Sequence, residues 1–128
     1  MALLYQKHIK RSDLQANPSV MYVFGDNVQR WGKKGQSFEM RGEPNAHGIA
    51  TKWAPSMEPG SFFENHQFDE VEKILMADLL PVFERLQDSR IVVWPLMGIG
   101  TGLASTGDQD YSLSSQMIRR ALKEFEQM

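Results

Sequence analysis

Four short stretches of this chain carry residue types that suit the holding of a phosphate or a sugar. The richest is Gly98-Ile99-Gly100-Thr101-Gly102-Leu103, which follows the apolar run Ile91-Val92-Val93-Trp94. Glycine at alternate positions lets a backbone approach an anion closely and aim N–H groups at it. The stretch lacks the trailing Gly-Lys-Ser or Gly-Lys-Thr of a P-loop, and Ser105 stands where a dinucleotide fingerprint would have its third glycine. Standard ATP hydrolysis and nicotinamide-type hydride transfer are therefore poorly supported. A tight strand-to-helix turn without a ligand is the other reading of the same glycines.

The second stretch is Gly25-Asp26-Asn27, read as a turn directly after a strand. Asp26 can accept a hydrogen bond from a base amine or a ribose hydroxyl, and Asn27 can both donate and accept; the plain alternative is an Asx turn. The third is Gly32-Lys33-Lys34-Gly35-Gln36, leading into a helix start. Gly35 and Gln36 suit an anion-binding loop, whereas the lysines suit a solvated turn. The fourth is Thr51-Lys52 at the end of a short apolar strand. A lysine there, partly shielded by Trp53, could have a lowered pKa and then attack an aldehyde-like sugar carbon or contact a phosphate. An ordinary surface lysine is the alternative.

Other chemistries find less support. His8, His47 and His66 lack metal-ligand spacing, so no metal site is expected, and no cofactor either. Ser61 and Ser105 have no nucleophile-elbow context. Glu39, Arg41, Glu43, Asn45 and His47 form a polar stretch in which a general acid or base could sit. Trp31, Trp53, Phe62 and Phe63 could stack on a base, or simply pack.

The elements that must position these stretches follow from periodicity. Residues 3–9 suggest a first strand with Leu3, Tyr5 and Ile9 on one side, and residues 12–16 a helical turn stopped before Asn17-Pro18. Residues 20–24 form an apolar run of strand length, the profile of a strand buried on both faces. A short helix is expected over residues 36–41, a strand over 48–53, and a loop over 54–67 that could cover a ligand. Residues 69–87 have the strongest helical pattern, with Pro81 expected to kink or split it near Leu80. A strand over 91–94 and a final helix over 110–127 complete the reading. Long helix, buried strand, loop and helix is βαβ logic. It predicts an α/β domain with a mixed or mostly parallel sheet between helices, and a ligand beyond the C-terminal strand ends.

The totals agree with one soluble domain spanning residues 1–128: 41% of residues are hydrophobic, 23% are charged, and the formal net charge is -2. That charge gives no support to non-specific nucleic-acid binding, although Lys7, His8, Lys10 and Arg11 cluster, as do Arg30, Lys33 and Lys34. The absence of cysteine excludes disulfides, thiolate nucleophiles and zinc–sulfur sites. There is no signal-peptide pattern and no apolar run near the roughly 20 residues of a membrane span. A cytoplasmic protein is the simplest expectation.

With these residues in place, the chain resembles the macrodomains, the ADP-ribose-binding α/β fold, and within them the branch containing terminal ADP-ribose protein glycohydrolase. The resemblance runs over Tyr22-Val23-Phe24-Gly25-Asp26-Asn27, Gly32-Lys33-Lys34-Gly35-Gln36-Ser37 and Ile49-Ala50-Thr51-Lys52. It continues through a proline-containing loop, a long helix, and Pro95-Leu96-Met97-Gly98-Ile99-Gly100-Thr101-Gly102-Leu103. It implies a three-layer fold with adenosine near Asp26 and the diphosphate between the glycine loops around Gly35 and Gly98 to Gly102. The distal ribose would lie near Lys52. In that branch the strand-end lysine attacks the distal ribose carbon, and an aspartate directly after Gly-x-Gly-Leu assists. Lys52 matches the lysine, Ala104 stands at the aspartate position, and Asp108 could substitute if the loop folds back. The overall string also looks like small uncharacterised proteins common in bacteria and their phages.

The expectation is a protein that binds ADP-ribose or a related nucleotide derivative, free or carried on an ADP-ribosylated macromolecule, with hydrolysis of an ADP-ribosyl linkage as an extension. The alternative is a non-catalytic protein-interaction or phage-type inhibitory module on the same fold. It expects a surface apolar patch from Trp31, Trp53, Phe62 and Phe63.

Overall fold

The computed structural model describes residues 2–99 and 113–128. The elements are β1 (Leu3–Gln6), α1 (Arg11–Ala16), β2 (Met21–Asn27), α2 (Ser37–Met40), β3 (Ala46–Lys52), α3 (Phe68–Gln87), β4 (Val92–Pro95) and α4 (Leu113–Glu126). Two 3₁₀ turns, Pro59–Ser61 and Asn65–Gln67, lie between β3 and α3. The strands form one four-stranded sheet in the order β1-β4-β2-β3, and every pair is parallel.

The pleat explains how the sheet is covered. Successive residues of a strand face opposite sides. Val23, Ile49, Val92 and Trp94 share one core with Val71, Leu75, Val82 of α3 and Ile118, Phe125 of α4. Tyr22, Phe24 and Val93 pack in a second core with Leu14 of α1 and Met40 of α2. Helices therefore cover both faces, as a parallel sheet requires.

Three elements sharpen or correct the sequence reading. β1 ends at Gln6 because His8 adopts φ 55, a left-handed conformation that a strand does not continue through. Ile9 consequently packs in the second core while Leu3 packs in the first, so the two do not share a side. Gly25, Asp26 and Asn27 are not a turn but the last residues of β2, paired with Ile49, Ala50 and Lys52. Of the two outcomes expected at Pro81, a kink or a split, the split does not occur: α3 runs unbroken from Phe68 to Gln87. Burial of Val71, Leu75, Leu79, Val82 and Leu86 on one flank offsets the cost of about 3 kcal/mol that an interior proline carries. Among the described residues no helix is long and apolar enough to cross a membrane.

Candidate functional site

The ladder between β2 and β4 leaves a gap: pairing covers Met21↔Val92 and Tyr22↔Val93 and does not continue toward their C-terminal ends. β2 is followed by α2 on one face of the sheet, whereas β4 is followed in sequence by α4 on the other. The space between the C-terminal ends of β2 and β4 is thus a topological switch point, where open α/β sheets bind ligands.

Five of the residues singled out from the sequence meet there. The Gly25 N–H donates to Gln36 Oε1 at 2.7 Å, and Gln36 Nε2 donates to the Gly98 carbonyl at 2.8 Å. A Cβ on Gly25 would lie 3.7 Å from Ile99 Cγ2 and 4.0 Å from Thr51 Cγ2. The Thr51 hydroxyl donates to the Asp26 carbonyl at 3.1 Å. Gly35 and Gly98 both need left-handed backbone, with φ 61 and φ 88. Gly100, Thr101, Gly102, Leu103, Ala104 and Asp108 lie outside the described residues.

The side chains of Asp26 and Asn27 are committed to the protein itself. Asp26 is buried; Arg41 grips both of its oxygens, Arg30 Nη1 stands 3.6 Å from Oδ2, and the Asn27 N–H donates to Oδ1 at 2.8 Å. Arg41 also donates from Nε to the Gly32 carbonyl at 2.6 Å, tying the first glycine loop to the same carboxylate. Asn27 donates to the Trp31 carbonyl at 2.8 Å and accepts from the Arg30 N–H at 3.0 Å, which closes the turn after β2. The short helix α2 spans only Ser37–Met40, one turn, so it offers less of an anion-binding terminus than residues 36–41 would have.

Lys52 lies under a different cover than expected. Its Nζ donates to the Ser56 carbonyl at 3.1 Å and sits 5.5 Å from the centre of the Phe62 ring. Trp53 instead packs edge-on against Phe63 at 5.0 Å and donates to Gln67. Residues 53–62 fold back on the strand end through a Lys52↔Phe62 bridge and a Trp53 N–H to Ser61 carbonyl bond of 2.7 Å. Burial, and then the nearby Lys34 charge, pushes the Lys52 ammonium pKa below its ordinary value.

Two features were not drawn from the sequence. Asp78 of α3 accepts from Arg30 Nη2 at 2.7 and 2.8 Å and from the Ala50 N–H at 2.8 Å, while Arg30 Nη1 reaches the Gly48 carbonyl at 3.3 Å. The pair therefore caps the open edge of β3. Its signal was present: Asp78 falls on the buried flank of α3 with Val71, Leu75 and Val82. The second is the contact of Arg41 with Asp26: the sequence placed Arg41 in a polar stretch, but this pairing depends on a fold-back invisible to periodicity.

The basic clusters are partly neutralised, since Arg11 pairs with Glu43 at 3.0 Å and Arg30 with Asp78. The four-aromatic surface patch does not form: Phe62 and Phe63 are buried, Trp53 is half-buried, and Trp31 alone of the four is exposed. Among the described residues no group of three or more His, Asp or Glu could hold a metal ion.

The chain belongs to a family of unknown function, DUF7831, whose model matches residues 4–110. That range contains β2, β3, β4 and every residue of the gap described above. No curated protein and no solved structure matches the chain.

Proposed function

We propose that this chain binds ADP-ribose or a related nucleotide derivative at the C-terminal ends of β2, β3 and β4. The fold would be macrodomain-like, with the sheet as the middle of three layers. The observation that carries the proposal is convergence. Gly25, Gln36, Thr51 and Gly98-Ile99 come from separate segments, yet they meet within hydrogen-bond or van der Waals distance at the switch point. The diphosphate lies between the loops around Gly35 and Gly98, the adenosine on the Asp26 side, and the distal ribose toward Lys52. Because Arg41, Arg30 and the Asn27 N–H saturate the Asp26 carboxylate, selection of the base does not fall to that side chain.

Hydrolysis of an ADP-ribosyl linkage is the catalytic extension of this reading. The unprotonated Lys52 amine attacks the anomeric carbon of the distal ribose. The bond to the leaving oxygen breaks, and its electron pair departs with the leaving group. Water then replaces the lysine nitrogen and regenerates the amine. The lowered Lys52 pKa supports this role, because it enlarges the unprotonated fraction near neutrality.

Thermal denaturation with and without ligand tests the binding claim. ADP-ribose at about 100 times its Kd would stabilise the protein by about 2.7 kcal/mol, and NAD, ATP and ADP by less at equal concentration. Absence of a shift with all four compounds contradicts the reading. Release of ADP-ribose from a modified peptide, lost in Lys52→Ala, tests the extension; activity unchanged by that substitution rules Lys52 out.

A further inference from the structure

We propose that Gln36 is the positioning residue of this site: its carboxamide is a crossbar that sets the spacing between β2 and the loop after β4, without touching the ligand. The part of the inference that concerns ligand binding rests on the function proposed above; the crossbar itself does not.

The backbone geometry calls for such a piece. The Met21 N–H donates to the Ile91 carbonyl and the Tyr22 N–H to the Asn45 carbonyl, so odd-numbered N–H groups of β2 face β4 and even-numbered ones face β3. The Gly25 N–H therefore points toward β4, beyond the last pair Tyr22↔Val93, where no strand partner remains. Gln36 Oε1 accepts this bond at 2.7 Å. On the far side, Gln36 Nε2 donates to the Gly98 carbonyl at 2.8 Å, and the Gly98 N–H is itself held by the Pro95 carbonyl at 2.9 Å. One side chain thus replaces a missing rung between β2 and the loop after β4, which are distant in sequence.

The two ends of that rung have opposite demands. One must accept from an N–H and the other must donate to a carbonyl. A carboxamide does both, whereas a carboxylate accepts at one end and faces the Gly98 oxygen with a second negative oxygen at the other. A protonated carboxyl group meets both demands again. The fit is close, since a Cβ on Gly25 would stand 3.4 Å from Gln36 Oε1.

The experiment combines amide hydrogen exchange in the free protein with ADP-ribose titration of Gln36→Glu and Gln36→Met. In the free protein, the Gly25 amide exchanges at least about tenfold faster in Gln36→Met than in the wild type, because its acceptor is gone. Exchange equal to the wild type overturns the crossbar. In the titrations, Gln36→Glu binds roughly tenfold more weakly than the wild type near pH 8, and recovers toward wild-type affinity near pH 4, where a glutamate of ordinary pKa about 4.3 is largely protonated. Gln36→Met stays weak at both. A constant deficit of Gln36→Glu across this range overturns the crossbar's part in binding. The Gln36 side-chain NH₂ resonances keep their shifts when wild-type protein is saturated; a large shift means that Gln36 contacts the ligand and overturns the positioning role. Failure of the wild type to bind ADP-ribose removes the proposed function, while the Gly25 exchange rate still decides the crossbar.

Discussion

Gly48 leaves the room that Asp26 occupies: a Cβ on Gly48 would stand 2.8 Å from the Asp26 Cβ and 2.9 Å from its Cγ. Gly48 has no left-handed φ, so the glycine serves space rather than backbone conformation. Gly48→Ala must push Asp26 away from Arg41 or separate β2 from β3. Overpacking of this kind costs about 1–3 kcal/mol. Urea denaturation of the variant measures it, and a midpoint equal to the wild type contradicts the packing.

Arg41 is the main counter-charge of the buried Asp26 carboxylate, and it also holds the Gly32 carbonyl. Arg41→Met leaves that carboxylate with the more distant Arg30 and the Asn27 N–H. Removing one member of a buried pair costs about 3–5 kcal/mol, and partial exposure of Arg41 places this one toward the lower end. Calorimetric unfolding checks the prediction; a loss below about 1 kcal/mol, the scale of a surface pair, contradicts it.

The fold was legible wherever one residue's neighbours settle its state. The apolar run 20–24 marked β2, and the helical spacing of Val71, Leu75, Leu79, Val82 and Leu86 marked α3. Gly25, Thr51 and Lys52 stood out by type near strand ends and Gln36 by its place at a helix start, and the structure brings Gly25, Gln36 and Thr51 together. The extension of β2 through Asn27 was not readable. Gly-Asp-Asn is turn chemistry locally, and only pairing with Ile49, Ala50 and Lys52 of β3 makes these strand residues, while Arg41, fifteen positions away, neutralises the Asp26 side chain. Lys52 lost Trp53 as its cover for a similar reason, since the pairing of Lys52 with Phe62 reverses the chain after β3. Long-range charge pairing and fold-back leave no periodic trace.

Lys52 carries a pH dependence of known sign. Burial first, and Lys34 second, depress its folded-state pKa below the ordinary 10.5. Between the two values the unfolded chain binds more protons, so stability rises with pH. The contribution is fully present above the unfolded pKa and is lost as pH falls through the depressed one. Lys52→Met therefore gains stability relative to the wild type at neutral pH, and the gain shrinks toward about pH 10.5. Denaturation of both proteins across this range checks it; a pH-independent difference contradicts it.

Tyr5 titrates in the opposite sense. Burial, together with the 2.8 Å hydrogen bond to Glu126 and the charge of that carboxylate, raises its pKa to about 12. The raised value stabilises the fold fully below the unfolded pKa of about 10, and that contribution is lost as pH rises through about 12. An ultraviolet titration of Tyr5→Phe loses a phenolate step near pH 12. Loss of a step near the ordinary value of about 10 instead contradicts the Tyr5–Glu126 contact.

Gly25 sits at the centre of the proposed site, with Gln36, Ile99 and Thr51 within 4.0 Å of the place a Cβ would take, so a larger side chain must displace the residues that form it. Isothermal titration of ADP-ribose into the wild type and Gly25→Val, with NAD, ATP and ADP as comparators, is the most direct test of the central claim. The account predicts roughly micromolar binding by the wild type, about 8 kcal/mol, with ADP-ribose preferred and a weakening of at least about a hundredfold in a folded Gly25→Val protein. Absence of heat with all four compounds, or equal affinity in the two proteins, contradicts it.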